Sequence, residues 1–281
     1  VGKTKLSIEL AKKYDGEIIN ADAVQVYKGL DIGSAKVTEE EKEGIPHHLL
    51  DFKEVTEEYT IYHYQKDCRE KIKDIQSRNK TPILVGGTGL YIKAALYDYK
   101  LSEEKSTNTY DNLTNEELYE ELKKLDKDII IDKDNRRRLI RAINYYKENN
   151  ESINKNKTNK LLYNVIFIGL TTDRQVLYDK INKRVDEMIS QGLLEEVKSF
   201  YDKGIKSKPL LNAIGYRELY NYLDGNCTKE EAIEKIKQNS RHYAKRQYTF
   251  FNHQLPVVWF ETDYNNFNNT IEKVASYIDS N

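Results

Sequence analysis

The sequence begins Val1-Gly2-Lys3-Thr4, and a segment with apolar residues at helical spacing follows at once. These four residues match the end of the phosphate-binding pattern G-x-x-x-x-G-K-[ST]. In that loop the glycine lets the backbone approach an anion, the lysine supplies a positive charge, and the threonine hydroxyl suits Mg²⁺. We therefore predict that these residues bind a phosphorylated ligand and that Thr4 is a ligand of a Mg²⁺ cofactor. The start of the motif and its strand are expected to occupy about ten residues ahead of Val1.

The rest of the chain alternates short apolar runs with longer helical patterns. Buried strands are predicted over residues 17–22, 81–87 and 163–170, with a last short strand over residues 257–260. A long helix is predicted over residues 60–79, between the first two strands. Strands that alternate with helices pair in parallel. We therefore predict an α/β fold with a P-loop parallel sheet core flanked by helices.

Each of the first two strands is followed by a polar residue suited to chemistry. Asp22 ends the first strand, and Thr88 follows the glycines Gly86 and Gly87. Ligands of parallel α/β sheets bind beyond the carboxyl ends of the strands, so both residues are candidate catalytic residues. Three roles are open for Asp22: a general base, an acid that holds Mg²⁺ through water, and a helix N-cap. The alternative for Thr88 is an ordinary tight turn.

Residues 101–160 differ from the rest of the chain, because they form polar, strongly charged helical segments. The T-x-x-E pattern that starts at Thr114 predicts a capping box, and a second helix is predicted over residues 134–146. We predict a small all-helical insertion domain over residues 101–160, and a P-loop core over residues 1–100 and 161–281. Later helices of the core are predicted over residues 174–191, 193–203, 214–223 and 228–251, and at the end of the chain.

Two clusters of positive charge lie on predicted helices. Arg137, Arg138 and Arg141 share one helical face through their i, i+3 and i, i+4 spacing. Exposed ion pairs with acidic residues of the preceding helix and a clamp for phosphate groups both explain this cluster. The second cluster, residues 241–248, mixes cations with aromatic rings on one helix, as RNA-binding surfaces often do.

Composition sets further limits. The 45 Lys and Arg and the 46 Asp and Glu give a net charge of -1, so only a local basic patch could bind nucleic acid. No segment approaches the roughly 18 apolar residues of a membrane span. Cys68 and Cys227 lack metal-ligand spacing, which favours free thiols in a reducing cytosol. For the adjacent His47 and His48 we favour a structural role over metal binding.

Taken in order, these segments resemble the tRNA dimethylallyltransferase family, the bacterial tRNA isopentenyl transferases. The resemblance lies in the phosphate-loop tail and in residues 22–36, 46–51, 86–91, 138–142, 213–218 and 244–247. Seven ordered blocks are far more specific than any one motif. Besides the absent start of the phosphate motif, the sequence differs from the usual family pattern in two places. Ala23 replaces the serine that the family usually has after the aspartate, and the segment between residues 99 and 114 is shorter than usual.

The resemblance implies a reaction in which the diphosphate of the donor would be bound by Val1, Gly2, Lys3 and Thr4. A dimethylallyl group would pass from dimethylallyl diphosphate to the exocyclic amine of the adenine 3′ of the anticodon in tRNA, with release of diphosphate. Asp22 would take the proton of that amine, and Thr88 and Gln25 would lie near the base. The adenine would have to leave its stack and enter a channel between the core and the insertion.

The resemblance also implies where tRNA binds. The expected tRNA-binding residues are Asp22, Ala23, Val24, Gln25, Arg137, Arg138, Leu139, Ile140, Arg141, Asn212, Ala213, Ile214, Gly215, Tyr216, Arg217, Arg241, Lys245, Arg246, Gln247 and Tyr248. We expect a cytoplasmic monomer that has no membrane partner.

Three other functions are compatible with parts of the sequence. A P-loop nucleotide kinase would use the arginine cluster as its lid, and ATP would stabilise it thermally. A non-catalytic RNA-binding module would leave the phosphate loop beside Asp22 unexplained. An adenylate isopentenyltransferase that acts on free nucleotide would need neither the insertion nor the basic helix of residues 241–248.

Overall fold

The computed structural model describes residues 2–101, 110–154 and 159–281. The chain divides into two compact units: Val1–Ala95 with Asn164–Asn281, and Leu96–Tyr163. We call the first the core unit and the second the insertion unit.

The secondary structure follows the predicted order of elements. The strands are β1 (Gly16–Asn20), β2 (His47–His48), β3 (Thr81–Val85), β4 (Ile168–Thr171) and β5 (Val258–Glu261). The helices are α1 (Lys3–Lys13), α2 (Glu39–Lys42), α3 (Ile61–Ser77), α4 (Gly89–Leu96), α5 (Asn115–Leu125), α6 (Arg136–Asn149), α7 (Arg174–Ser190), α8 (Leu193–Tyr201), α9 (Lys208–Asn212), α10 (Tyr216–Leu223), α11 (Lys229–Gln254) and α12 (Phe267–Asp279).

The described strands form two small parallel sheets. One has the order β2-β1-β3, in which Ile18 pairs with both His47 and Ile83. The other pairs β4 with β5, from Ile168 opposite Val258 onward. The predicted α/β class with parallel pairing is confirmed, since helices separate the paired strands along the chain.

The predicted strand over residues 163–170 is wrong in its first half. The ladder begins near Phe167, whose carbonyl accepts the N–H of Val258 at 2.9 Å. The partner strand β5 is only four residues long. A strand extends only as far as a neighbour pairs with it, so the apolar character of residues 163–166 does not make them a strand.

Helix α1 carries the tail of the phosphate motif and packs on both sheets. Leu6 and Leu10, four residues apart, share one face and are buried. With Val274 of α12 they form a cluster that also contains Ile83 of β3 and Leu170 of β4. Burying a leucine side chain contributes about 1.5–3 kcal/mol. The buried face of α1 therefore fixes the first turn of the helix against the strands.

The insertion unit has a hydrophobic core of its own. Helix α5 begins at the predicted capping box, where Thr114 N donates to Glu117 at 2.7 Å and Glu117 N donates back to Thr114 at 3.2 Å. Leu122 of α5 packs with Leu139 and Ile143 of α6, and all three side chains are buried. The described part of this unit is therefore mainly helical, and its helices pack around a hydrophobic core formed by residues of the same unit.

The two histidines of β2 have structural partners. His47 Nδ1 lies 2.8 Å from the carbonyl oxygen of Ile45. His48 Nε2 lies 2.7 Å from Glu17 Oε2, inside the sheet. Glu17 is only 4% exposed, and Arg78 donates two hydrogen bonds to its carboxylate, of which the Nη2 bond measures 2.8 Å. These contacts support the structural role that we favoured for the pair.

The Glu17 cluster predicts a stability that depends on pH. Hydrogen bonds from Arg78, with a smaller effect of His48, lower the pKa of Glu17 to about 2. Because the pKa is lowered by folding, the stabilisation is complete above the ordinary value and is lost as the pH falls from about 4.5 towards 2. Glu17→Gln should reduce the free energy of unfolding by about 1–2 kcal/mol at pH 7, since Arg78 is partly exposed and regains water.

Urea unfolding of the wild-type and Glu17→Gln proteins at pH 7, 5 and 3.5 tests this prediction. The difference between the two proteins should shrink at the lowest pH. A matched control is Glu54→Gln, since the ion pair of Glu54 with Lys28 is exposed. A gap of constant size across this pH range would contradict the assignment to Glu17.

The cysteines and the helix lengths can be compared with the predictions made from composition. Cys68 and Cys227 are free thiols, as predicted, and burial raises the pKa of Cys68 to about 12. Within residues 2–101, 110–154 and 159–281, none of the helices combines the length and the apolar character needed to span a membrane.

Candidate functional site

The carboxyl ends of β1 and β3 are joined by three hydrogen bonds. Ala21 N donates to Val85 O at 2.8 Å, and Thr88 N donates to Ala21 O at 3.0 Å. Ala23 N then donates to the hydroxyl oxygen of Thr88 at 3.1 Å. These bonds bring Asp22 and Thr88 together at the same edge of the sheet, where the sequence placed both.

This close approach depends on Gly86. A Cβ atom at this position would lie 2.2 Å from the carbonyl carbon and oxygen of Ala21. Both are backbone atoms of a buried strand end and have no room to move. Any side chain at Gly86 would therefore push apart the two segments that carry Asp22 and Thr88.

The carboxylate of Asp22 is fixed through one oxygen. Its Oδ1 accepts the N–H groups of Val24 at 2.9 Å and Gln25 at 3.4 Å. Among the described residues, none donates a hydrogen bond to the other oxygen, Oδ2. The residues after Asp22 form a turn and not a helix, so the N-cap alternative is wrong. What remains is a half-buried carboxylate with one oxygen available to a ligand or a proton.

The side-chain amide of Gln25 has a defined orientation. Its Nε2 donates to the carbonyl oxygens of Ser34 at 2.9 Å and Ala35 at 3.3 Å. Because both neighbours are acceptors, the nitrogen must face them and the amide oxygen must face away. Within the described part of the chain, Oε1 accepts no hydrogen bond. Gln25 therefore presents a fixed acceptor, and it lines the same cavity as Thr4.

The phosphate motif lies at the first turn of α1, although Val1 is outside the described residues. Gly2 is the N-cap, with a left-handed φ of 87°, and Lys3 and Thr4 are the first helical residues. Lys3 keeps accessible surface, yet enough protein surrounds it that desolvation lowers its pKa, partly offset by the charge of Asp22. The charges of Lys3 and Asp22 are therefore close enough to interact.

Arg184 is a site residue that sequence reasoning missed. It lies on α7, and its pKa is lowered mainly by desolvation, while the charge of Asp22 raises it. Its charge also lowers the pKa of Lys3. The charges of Lys3, Arg184 and Asp22 thus interact with one another. Both cations are exposed, and an added anion would relieve the repulsion between them. One arginine on a polar helix gives no signal for this position in the sequence.

Helix α11 supplies the other wall of the site. Gln247 Nε2 donates to Gly87 O at 3.0 Å. Tyr243 forms side-chain hydrogen bonds with Thr88 and Gln247, and burial, together with the charge of Asp22, raises the pKa of its hydroxyl. Tyr243 therefore remains a neutral phenol. Sequence reasoning placed residues 241–248 along RNA but did not single out this tyrosine.

The remaining candidates on α11 are divided between surface and core. Lys245 and Arg246 are exposed, and the guanidinium of Arg246 lies 5.7 Å from the centre of the Tyr243 ring. Arg241 donates to Asn182 at 2.6 Å. The ring of Tyr248 stacks on Trp259, and its hydroxyl bonds to Thr171. Tyr248 is thus packed against the second sheet and offers RNA only part of its side chain.

The block from Asn212 to Arg217 is also divided. Asn212 and Arg217 are exposed, Ile214 is half-buried, and Ala213 and Gly215 are buried. Tyr216 is fully buried, and its hydroxyl donates to Glu196. The prediction that the Tyr216 side chain touches tRNA is corrected, because the tyrosine has no accessible surface.

In the insertion unit, Arg137 and Arg138 are exposed at the start of α6. None of the ion pairs between described residues includes either of them, whereas Lys147 of the same helix pairs with Glu121 at 2.6 Å. The guanidinium of Arg141 lies 5.9 Å from the ring centre of Tyr99. Leu139 is fully buried and Ile140 is half-buried. We therefore correct the prediction that the Leu139 side chain contacts tRNA directly. Leu139 supports the helix instead.

The fit of Mg²⁺ can be judged from the oxygen atoms near Thr4. Within the described residues, no group of three or more His, Cys, Asp or Glu side chains is arranged to hold a metal. A cavity is lined by Thr4, Asn20, Gln25 and His47, among others. Magnesium usually takes one or two protein oxygens and completes its shell with phosphate oxygens and water. The hydroxyl of Thr4 fits such a partial ligand set.

Comparison with known proteins gives the family. The family model described as IPP transferase matches residues 25–254. The chain is 50% identical to the tRNA dimethylallyltransferase of Anoxybacillus flavithermus, over 99% of this chain and 93% of that protein. It is 48% identical to the tRNA dimethylallyltransferase of Geobacillus thermodenitrificans, with the same coverage.

Solved structures agree with this result. A tRNA isopentenylpyrophosphate transferase from Staphylococcus epidermidis superposes with a TM-score of 0.76 and 40% identity, over 99% of this chain and 95% of that one. A eukaryotic dimethylallyltransferase acting on tRNA superposes with a TM-score of 0.87 and 28% identity, over 98% of this chain and 74% of that one.

Proposed function

The chain belongs to the IPP transferase family, and on that premise we propose that it prenylates tRNA. It transfers a dimethylallyl group from dimethylallyl diphosphate to the exocyclic amine of the adenine 3′ of the anticodon and releases diphosphate. The observation that carries this proposal is the placement of Asp22 beside Thr88 at the strand ends, fixed by the bonds Thr88 N to Ala21 O and Ala23 N to the Thr88 hydroxyl. The charges of Lys3 and Arg184 interact with its carboxylate. A base for the acceptor and positive charge for the leaving group thus lie together.

At the acceptor side, the amine of adenine is a poor nucleophile because its lone pair is delocalised into the ring. The nitrogen forms a bond to the allylic carbon while the bond from that carbon to the diphosphate oxygen breaks. The amine then carries an extra proton, which Oδ2 of Asp22 accepts. Oδ1 cannot take this role as easily, because two backbone N–H groups already occupy it.

At the donor side, negative charge accumulates on the departing diphosphate. Lys3, Arg184 and the free N–H groups at the start of α1 stabilise that charge. Mg²⁺ held by the hydroxyl of Thr4 would neutralise part of the same charge.

Two alternatives are not favoured. The relatives that match nearly the whole chain are named as tRNA dimethylallyltransferases and not as nucleotide kinases. The same names separate this chain from enzymes that prenylate free adenine nucleotides. We further propose that the protein acts as a cytoplasmic monomer, since a single chain supplies Asp22, Lys3 and Arg184.

The arginines of α6 are the proposed clamp for tRNA phosphates in the insertion unit. Arg137 and Arg138 occupy the first turn of a helix, where the macrodipole disfavours positive charge by about 0.3–1 kcal/mol each. They therefore do not stabilise the helix through its dipole, and Arg136 alone of the first turn has a structural role, donating to Leu113 O and Tyr110 O at 2.5 Å. Exposed arginines at a helix N-terminus suit phosphate groups.

Direct assay tests the proposed function. The protein is incubated with unmodified tRNA, labelled dimethylallyl diphosphate and Mg²⁺, and the digested nucleosides are separated by mass spectrometry. The expected product is adenosine that has gained one dimethylallyl group next to the anticodon. Label on free adenine nucleotide, or phosphate transfer from ATP, would replace this proposal with one of the alternatives.

Removal of Arg137 and Arg138 should weaken tRNA binding in a salt-dependent way. The double change to alanine should lower the slope of log K against log salt by about two phosphate contacts and leave pyrophosphate binding intact. Filter binding between low and high salt measures the slope. The control removes the exposed Lys124 and Lys127 of the same unit, which takes away equal charge at another place. Equal slopes for wild type and the arginine double variant would contradict the phosphate clamp.

A further inference from the structure

The loop that follows Gln25 is held by one carboxylate from α8. Glu196 Oε2 accepts the N–H groups of Asp31 at 3.2 Å and Ile32 at 2.8 Å. Its other oxygen, Oε1, accepts the N–H of Gly33 at 3.2 Å. Three successive backbone donors on one carboxylate define the position of the loop more closely than a single bond does.

Tyr216 completes this arrangement. Its hydroxyl donates to Oε1 of Glu196, and its ring is fully buried. The ring also lies directly against Gly33, where a Cβ atom would be 2.5 Å from the ring carbon Cε2. Glycine at this position therefore lets the loop, the ring and the carboxylate fit together.

The same loop supplies the acceptors that orient Gln25. Ser34 follows Gly33 directly, and its carbonyl and that of Ala35 accept the two bonds of Gln25 Nε2. A shift of the loop would move both carbonyls and turn the amide. The amide oxygen would then lose its fixed direction in the cavity that Gln25 lines together with Thr4.

Adenine offers two hydrogens on its exocyclic nitrogen, and the site offers two unoccupied acceptors. One is Oδ2 of Asp22, and the other is Oε1 of Gln25. A hydrogen bond to the Gln25 oxygen would hold the amine in the plane that lets its second hydrogen reach Asp22. Orientation of this kind is worth a large factor in rate, because a displacement of about 1 Å costs roughly 100-fold.

We propose that Glu196, together with Tyr216, is a positioning residue for prenyl transfer that acts through Gln25. The inference rests on the proposed function. Glu196 touches neither the diphosphate site nor the free oxygen of Asp22. Its effect passes from the loop N–H groups to the Ser34 and Ala35 carbonyls and on to the Gln25 amide.

The test is a double-mutant cycle in the full chain with Glu196→Gln and Gln25→Ala. Glutamine keeps the size of the side chain but has only one acceptor oxygen, so the loop loses part of its support. We expect Glu196→Gln to lower the single-turnover rate of transfer at saturating substrates about 10- to 100-fold. Binding of tRNA and of pyrophosphate should stay within about threefold of wild type, because phosphate contacts dominate both.

The cycle separates positioning from general stability. If Glu196 acts through Gln25, the double variant is no slower than Gln25→Ala alone. Multiplication of the two losses would overturn the proposal, and so would a normal rate for Glu196→Gln. Tyr216→Phe keeps the ring against Gly33 and removes one hydrogen bond, so it should lower the same rate less and leave the thermal midpoint nearly unchanged.

The matched control is Glu195→Gln, the exposed neighbour on α8, which should transfer at the wild-type rate. The rate of the wild-type protein in the same assay separates failure of the proposed function from failure of the positioning role. Absence of transfer by the wild type would contradict the proposed function itself. Transfer by the wild type with an unaffected Glu196→Gln variant would contradict only the positioning role.

Discussion

Asp22→Asn should reduce prenyl transfer about 10²- to 10⁴-fold, the usual contribution of a general base. Asparagine keeps the size of the side chain, and its amide oxygen can still accept the N–H groups of Val24 and Gln25. The nitrogen that replaces Oδ2 cannot accept the proton of the adenine amine. The rate of a single turnover at saturating tRNA and donor measures this step without the contribution of product release.

Binding data decide between the two roles that remain open for Asp22. A general base is needed after both substrates have bound, so their affinities should stay within a few-fold of wild type. Loss of Mg²⁺-dependent pyrophosphate binding would instead identify an acid that holds the metal through water. A near wild-type rate would mean that water or the departing diphosphate removes the proton.

Lys3→Ala should reduce the affinity for the donor and slow transfer about 10²- to 10³-fold, as the loss of one preorganised charge contact typically does. The side chain of Lys3 is exposed at the first turn of α1, where a diphosphate can reach it, and its charge interacts with those of Arg184 and Asp22. The binding of tRNA should hardly change, because its phosphates contact other surfaces. Calorimetric titration with pyrophosphate and Mg²⁺ measures the first effect.

A control on the same helix turn is available. Lys5 lies 5.1 Å from the ring centre of Phe267. Two residues after Lys3, it is about 200° around the helix from that lysine, so Lys5→Ala should bind pyrophosphate normally. If Lys3→Ala binds pyrophosphate as tightly as the wild type does, the assignment of the phosphate loop is wrong. If both variants lose binding, the first turn of α1 has been disturbed as a whole.

The strand-end residues of the site could be predicted from the sequence because their signals are local. A buried strand followed by an acid, and another followed by glycines, place Asp22 and Thr88 at one edge of a parallel sheet. The capping box of Thr114 was predictable for the same reason. Each pattern lies within a few residues and is not altered by distant contacts.

The residues that were missed depend on packing between distant segments. Arg184 and Tyr243 reach the site only because α7 and α11 pack on the core, and one residue on a helix face has no distinctive local pattern. The same cause explains the corrections for Leu139 and Tyr216. Each lies within a block that resembles tRNA-binding motifs, yet each points into a hydrophobic core and supports its exposed neighbours.

The position of α1 between the two sheets has a consequence for mutational scans. Under the proposed function the first turn of the helix binds the anion, while Leu6 and Leu10 pack against residues of both sheets. A screen that measures only enzyme activity would show losses for substitutions of the buried leucines as large as those for Lys3, although the leucines do not contact substrate. Measuring protein abundance in parallel would separate the two groups. Loss of Lys3 would remove a contact to the anion, whereas loss of Leu6 or Leu10 would lower the amount of folded protein.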